Sequence, residues 1–399
     1  MEQRIEINGV SKIGKVLLLL LFLFNNETLA NNLCTWMQQP TIIVVGMLFA
    51  WFVVNGINKH YFRHVDKGSF VAATALSVCA MIVFFIDNAK NGYILLAMAL
   101  LSSFAITTTF RVDEFEIEIV KISKWISLYS LICTYILKII APKLGFIRIV
   151  RNSAGTAFYN FIFCYVHTGT NYYRNYGVFR EPGVYAYFLC LALLFLILKK
   201  KHFDQKDFTS TLVILVITLI TTFSTTGYIA ILVILIWVAF VRKELNYKLA
   251  IILSIATVAL IVFSNNFIDN PLSKLNANSS SYLYRIESIK TAMNLIIKRP
   301  LGYGINIGLN EMATNYGMAT FHNTNTWTTL AVYFGIPFMV ITTLGMIMFI
   351  KKTSSSLVLL VPFIFLLSGE MLVYNPFVYV LIIYGYKKIE GKEYESVRD

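Results

Sequence analysis

Two arginine–glutamate pairs stand out in a chain otherwise poor in charge. One is Arg180-Glu181, followed at once by Pro182-Gly183, and the other is Arg285-Ile286-Glu287. A guanidinium presents a planar fork of N–H donors that grips phosphate oxygens two at a time. A carboxylate nearby can take or orient the proton of an attacking hydroxyl. Together these residue types suit transfer of a group away from a phosphate or diphosphate. Arg151 and Arg174 are further candidates for holding such an anion, and His322 joins Glu181 and Glu287 as a candidate base. The competing readings are plain: surface ion pairs for the arginines and an ordinary interfacial histidine for His322.

The local context of the first pair favours an anion site. Proline is tolerated in the first turn of a helix, so Pro182-Gly183 reads as the passage from loop to helix. Arg180 and Glu181 then flank a helix N-terminus, whose unpaired N–H groups attract negative charge.

The elements that must hold these residues are membrane helices. Hydrophobic residues make up 57% of the chain and charged residues only 14%, against roughly a quarter charged in soluble domains. Apolar runs approach the ~20 residues needed to cross a bilayer. They centre on 14–28, 41–57, 69–86, 92–110, 124–140, 184–198, 208–223, 228–241, 249–263, 327–350, 357–372 and 376–386. A β-barrel would show short alternating segments instead. The expected fold class is therefore all-α: a polytopic integral membrane protein with about twelve transmembrane helices in a single membrane domain over 1–399. The first run, with Lys12, Lys15 and then Thr28-Leu29-Ala30, also resembles a signal peptide. A retained helix is expected.

Charge gives the orientation. Basic connections at 58–68, 199–207, 242–248 and 351–352, and the tail from 387, fall on one side if the spans alternate. That side, with both termini, is expected in the cytoplasm. The opposite segments 25–40, 221–227 and 370–375 contain no Lys or Arg. Two long external loops break the rule, 138–182 and 265–325. The first carries Lys138, Lys143, Arg148, Arg151, Arg174 and Arg180 against Glu181 alone. The second carries Lys274, Arg285, Lys290, Lys298 and Arg299 with Asp269, Glu287 and Glu311. A basic surface there suits an anionic headgroup or a pyrophosphate.

Other functions lack their signatures. The net charge of +13 follows from basic cytoplasmic loops rather than from nucleic-acid binding. The scattered cysteines show no CxxC or Cys/His spacing, so neither a zinc site nor a disulfide framework is indicated. Span interiors are almost free of the ionisable residues that ion-coupled transporters place at mid-bilayer. No Gly-rich nucleotide loop occurs in a soluble context.

Four motifs in order carry a resemblance. They are Gly177-Val178-Phe179-Arg180-Glu181-Pro182 before a mid-chain span, the turn Phe223-Ser224-Thr225-Thr226-Gly227-Tyr228, Arg285 followed by Pro300-Leu301-Gly302-Tyr303-Gly304, and His322-Asn323 opening a span that contains Gly335-Ile336-Pro337. Across about 173–337 the chain resembles the bacterial O-antigen polymerase and O-antigen ligase superfamily. It departs from that pattern where Thr225 replaces a frequent Arg, where His322 stands about two residues too far from Gly335, and where Phe338 replaces a second Gly. With the family's spacing, Thr324-Asn325 would align with the His-Asn pair.

The resemblance implies a GT-C-like, metal-independent glycosyltransferase without a cofactor. It would act on undecaprenyl-diphosphate-linked glycan donors and acceptors at the outer face of the inner membrane, with its active site facing the periplasm. Arg180 and Arg285 would hold the pyrophosphate, Arg151 and Arg174 would assist, and Glu181, Glu287 and His322 would serve as base or orienting groups. The Glu-Pro-Gly form and the His-Asn spacing lean towards a polymerase of O-antigen or capsular repeats, working with a chain-length regulator protein. An O-antigen ligase acting on lipid A core is the alternative. A lipid-linked oligosaccharide flippase is the second, but flippases keep their basic residues inside the bundle rather than in long outer loops.

Overall fold

The computed structural model describes residues 11–34, 39–58, 65–87, 91–152, 155–169, 173–238, 280–316, 324–354 and 356–388. The expected span at 249–263 and the His322-Asn323 pair lie outside them. The described chain is mainly helical: α1 (Lys12–Phe24), α2 (Pro40–Asn58), α3 (Lys67–Phe84), α4 (Asn91–Thr109), α5 (Val112–Ile132), α6 (Pro182–Leu198), α7 (Gln205–Thr221) and α8 (Thr225–Trp237) come first. After them come α9 (Ser280–Lys298), α10 (Ile305–Tyr316), α11 (Thr326–Ser354), α12 (Leu360–Gly369) and α13 (Pro376–Tyr386). Short polar residues open several of them by accepting orphan N–H groups: Ser11 for α1, Asp66 for α3, Asp204 for α7, Ser224 for α8 and Asn375 for α13.

Among the described residues, four helices are long and apolar enough to cross a membrane: Lys67–Phe84, Asn91–Thr109, Val112–Lys143 and Thr326–Ser354. The third continues α5 through a π turn, Cys133–Leu137, into Lys138–Ile140. It begins well before the apolar run at 124–140 because its first half is charged, a stretch that hydropathy passes over. That half is held by ion pairs instead. Lys199 meets Asp113 and, at 3.1 Å, Glu116; Lys15 meets Glu118 at 2.8 Å; Lys124 meets Asp207. Helix α6 is the centre of the bundle, buried on every side from Pro182 to Ile197.

The expectation of an all-α fold is corrected in the first long loop. Residues 149–167 form a three-stranded antiparallel sheet of β1 (Ile149–Arg151), β2 (Ala157–Phe161) and β3 (Cys164–His167), in that order. The register pairs Tyr159 with Val166 and Phe161 with Cys164. Aromatic and β-branched residues in two short runs around a tight turn favour strands. The described part of the second long loop contains α9 and α10.

Helix α13 is unusually short, and this sets the depth of the site. Its far end lies level with the start of α3, where Lys388 N–H donates to the Asp66 carboxylate at 3.0 Å. From that shared level α3 rises through 18 residues and α13 through 11, or about 27 and 16 Å. The start of α13 therefore sits about 10 Å below the end of α3. Irregular backbone at such depth is tolerated where it is packed in protein or lines a cavity.

Candidate active site at the recessed end of the bundle

The chain entering α6 is fixed first by its backbone. Residues 27–29 run antiparallel to 178–180, with Leu29 N–H donating to the Val178 carbonyl at 3.0 Å and Arg180 N–H to the Glu27 carbonyl at 2.9 Å. This pairing ties the end of α1 to the Arg-Glu-Pro-Gly segment. The Arg180 side chain then forms an ion pair with Glu27, Nε to Oε2 at 2.8 Å, and donates from a terminal nitrogen to the Met371 carbonyl at 3.0 Å. Glu27 is 3% exposed whereas Arg180 keeps 26% of its side chain open. The guanidinium is thus held from two sides in a side chain that is about a quarter exposed.

Glu181 is the N-cap residue of α6 and is exposed. Its carboxyl hydrogen-bonds that of Glu370, which is 8% exposed and sits in the link between α12 and α13. A Glu370 oxygen lies on the first turn of α6, 1.6 Å from where a Cβ on Gly183 would be. Glycine leaves that space open to the carboxylate. Thr326, at the start of α11, holds the Glu370 backbone by donating to its carbonyl at 2.5 Å and accepting from Leu372 N–H at 3.0 Å. The first turn of α8 reaches the same place, since a Cβ on Gly369 would meet Thr226 at 2.7 Å.

Charges converge on Glu370 from two directions. Burial raises its carboxyl well above the usual range, Glu181 adds to that, and Arg180 and Arg285 oppose it. Arg285 acts from α9. The Glu27 carboxyl is also raised, mainly by burial and further by Glu181, against the pull of Arg180. Burial works against the charge of Arg180, but Glu27, Glu181 and Glu370 outweigh it and keep the guanidinium protonated. Two arginines thus face three carboxyls, and the cluster is neutral when one carboxyl holds a proton.

The sequence candidates therefore separate. Arg180 and Glu181 stand beside Glu370, and Arg285 acts on it electrostatically from α9. Arg174 supports the neighbouring turn, donating to the carbonyls of Thr222 at 3.2 Å and Phe223 at 3.4 Å. It brings a guanidinium to the turn where the resemblance expects a frequent Arg at the position of Thr225. Arg151 donates to the Gly155 carbonyl of its own β1–β2 turn. Glu287 lies exposed on α9 in an ion pair with Lys290 at 3.8 Å, a surface arrangement of small energetic weight. Asn325, the residue that the family spacing would place in the His-Asn pair, accepts from Thr328 N–H at 3.1 Å as a cap of α11. Sequence reasoning missed Glu27 and Glu370. The one hint in the sequence is that each is the lone acid in a segment expected to face outward and free of Lys and Arg.

The two glycine motifs form one junction. Ile336 N–H donates to the Pro300 carbonyl at 2.8 Å, and Tyr303 and Gly304 donate to Val332 and Tyr333 at 2.8 and 2.9 Å. Gly302 and Gly335 have φ of 91° and 88°, and a Cβ on Gly335 would lie 2.6 Å from the Leu301 carbonyl carbon. Gly335 breaks α11 at this point. Asp87 then caps α10, accepting from Asn306 and Ile307 N–H at 2.9 and 3.3 Å and from the Tyr93 hydroxyl at 3.0 Å.

A comparison with curated proteins finds no match. Residues 210–343 match the model of the O-antigen ligase family. That stretch includes the turn before α8, Arg285 and both halves of the glycine junction. With the apolar helices and the ordered motifs, the match over that part of the chain supports membership of this integral membrane protein in the O-antigen polymerase and ligase superfamily.

Proposed function

We propose that the protein polymerises lipid-linked repeat units, moving a growing glycan from undecaprenyl diphosphate onto the terminal sugar of a fresh lipid-linked repeat. The observation that carries this reading is the clamping of Arg180 by Glu27 and Met371 beside the buried Glu370, on which Arg285 also acts electrostatically. In the transfer the bond from the sugar anomeric carbon to the diphosphate oxygen breaks, and its electron pair leaves with the diphosphate. Arg180 and Arg285 stabilise that charge, a contribution of roughly 2.7–4 kcal/mol per well-placed donor. The acceptor hydroxyl attacks the anomeric carbon and its proton passes to the Glu181–Glu370 pair. Glu27 positions Arg180 from behind.

This reading includes a GT-C-like frame of about twelve spans, cytoplasmic termini, a periplasmic site in the inner membrane and a chain-length regulator as partner. Reporter fusions test the orientation. Fusions after Lys201 and Lys352 should report cytoplasm and those near Asn160 and Asn310 the periplasm; cytoplasmic signals at both of the latter overturn it.

The matched family is described as O-antigen ligase, which favours a second reading in which finished glycan moves onto lipid A core. Deleting the gene separates the two. Loss of a polymerase leaves surface lipid with core plus a single repeat. Bare core with long glycan still on undecaprenyl diphosphate would replace polymerase by ligase.

A further inference from the structure

The tip of the β2–β3 hairpin, Phe161-Ile162-Phe163, does not stand at the top of the molecule. The Phe161 carbonyl accepts from the Tyr129 hydroxyl at 2.5 Å, well down the helix that ends at Ile140. Ten residues separate Tyr129 from Ile139, about 15 Å of helix. The Phe163 ring also meets Phe24 at 5.6 Å, at the end of α1 and beside the Glu27 segment. Both contacts put the tip at the depth of the recessed end of the bundle.

The surface around it is apolar. On α5 and its continuation, Trp125, Leu128, Ile132, Ile136 and Ile139 are exposed at helical spacing. This is the stripe of a helix that faces lipid. Ile162 is 72% exposed and Phe146 80%, and Phe163 is partly exposed beside them. Ile162 also has φ of 63°, a left-handed conformation that glycine adopts readily and a β-branched residue does not. Glycine would relieve both the strain and the exposure in water, so the isoleucine needs an apolar partner. Behind the tip lies a groove of about 530 Å³ whose lining includes Tyr129, Leu137, Ile147 and Arg148.

We propose that the β2–β3 hairpin tip is inserted among the lipids of the leaflet at that end of the bundle, with Ile162, Phe163 and Phe146 against acyl chains. The tight turn leaves few backbone groups to satisfy, and Tyr129 supplies a donor to Phe161, which suits the interfacial layer rather than the bilayer centre. Lys143, Arg148 and Arg151, all exposed on the same subdomain, lie where lipid phosphates would meet them. The insertion rests on exposure and depth alone, so it stands whether the enzyme is polymerase or ligase.

The test uses the full chain in vesicles of phosphatidylcholine and phosphatidylglycerol. In Ile162→Trp, the emission added over the unsubstituted protein should be quenched by lipids brominated on their acyl chains and spared by iodide. Quenching by iodide would put the tip in water. Protection from both quenchers would mean that another copy covers it. Either result overturns the proposal. Independently, Ile162→Asp should lift the hairpin and raise trypsin cleavage between Arg148 and Arg174 several-fold in vesicles. Unchanged cleavage also overturns it.

Discussion

The Glu370 carboxylate occupies the space that a side chain on Gly183 would take, with an oxygen 1.6 Å from that Cβ position. A glycine of the loop-to-helix motif is thereby explained by an acid far along the chain, at the opposite border of the site. The contact atom is the far end of a flexible side chain. Gly183→Ala should therefore leave the protein folded and displace the carboxylate. The expected outcome is near-normal membrane abundance with glycan transfer reduced at least tenfold, measured as glycan chain length on a gel. Normal ladders would mean that the position of Glu370 does not matter to the reaction.

Arg180 and Arg285 should respond to geometry as well as to charge. Lysine keeps the charge but loses the planar fork, so Arg→Lys at either position should lose much of the activity. Arg→Ala should lose roughly a hundredfold or more, as expected for one donor to developing charge. Glu27→Gln should cost less than Arg180→Ala, because the Met371 carbonyl still holds the guanidinium. Surface anchors would behave otherwise, costing about 0–1 kcal/mol of stability with activity intact. Full-length ladders from both Ala variants at normal abundance would move the active site elsewhere.

Much of this arrangement is legible in the sequence, for separable reasons. The apolar runs are plain because lipid demands them. Arg180, Glu181 and Arg285 are visible because guanidinium and carboxylate side chains are rare in this chain and stand in ordered motifs. Glu27 and Glu370 are not visible as site residues, because their partners lie far away in the chain and each looks like an isolated acid in a short loop. The 11-residue α13 reads as a weak span, whereas its shortness sets the depth of the site. The sheet at 149–167 is hidden because its strands are only 3, 5 and 4 residues long and β2 and β3 lack a clean alternation of apolar and polar side chains. Hydropathy passes over the charged half of α5 because ion pairs, not apolar surface, hold it.

The glycine junction should affect folding rather than chemistry. Gly335 has φ of 88° and its Cβ would press on the backbone of Leu301, where no flexible side chain can give way. Gly335→Ala should cost more than the ~1 kcal/mol typical of a point substitution and sharply lower the amount of protein in the membrane. Activity per molecule that remains should change little. An abundant Gly335→Ala protein with no activity would instead place the junction in the catalytic machinery.

The last prediction concerns the proton. Burial and the neighbouring Glu181 hold the Glu370 carboxyl well above the ordinary range, and the two arginines do not cancel that. A base must be ionised to accept the acceptor's proton, so transfer should rise with pH through this raised value and fall as the solution is acidified through it. The acid limb should therefore lie at higher pH than for an ordinary carboxylate near 4.3. Glu370→Gln keeps the shape and the contact with the first turn of α6 but cannot accept the proton. It should lower the rate by roughly a hundredfold or more and flatten the acid limb, while binding of the lipid-diphosphate donor is retained. A positioning role would lower the rate and leave the limb in place. A Glu370→Gln protein with full activity and an unchanged pH profile would remove the carboxyl pair from the mechanism, even if the Arg180 and Arg285 variants are inactive.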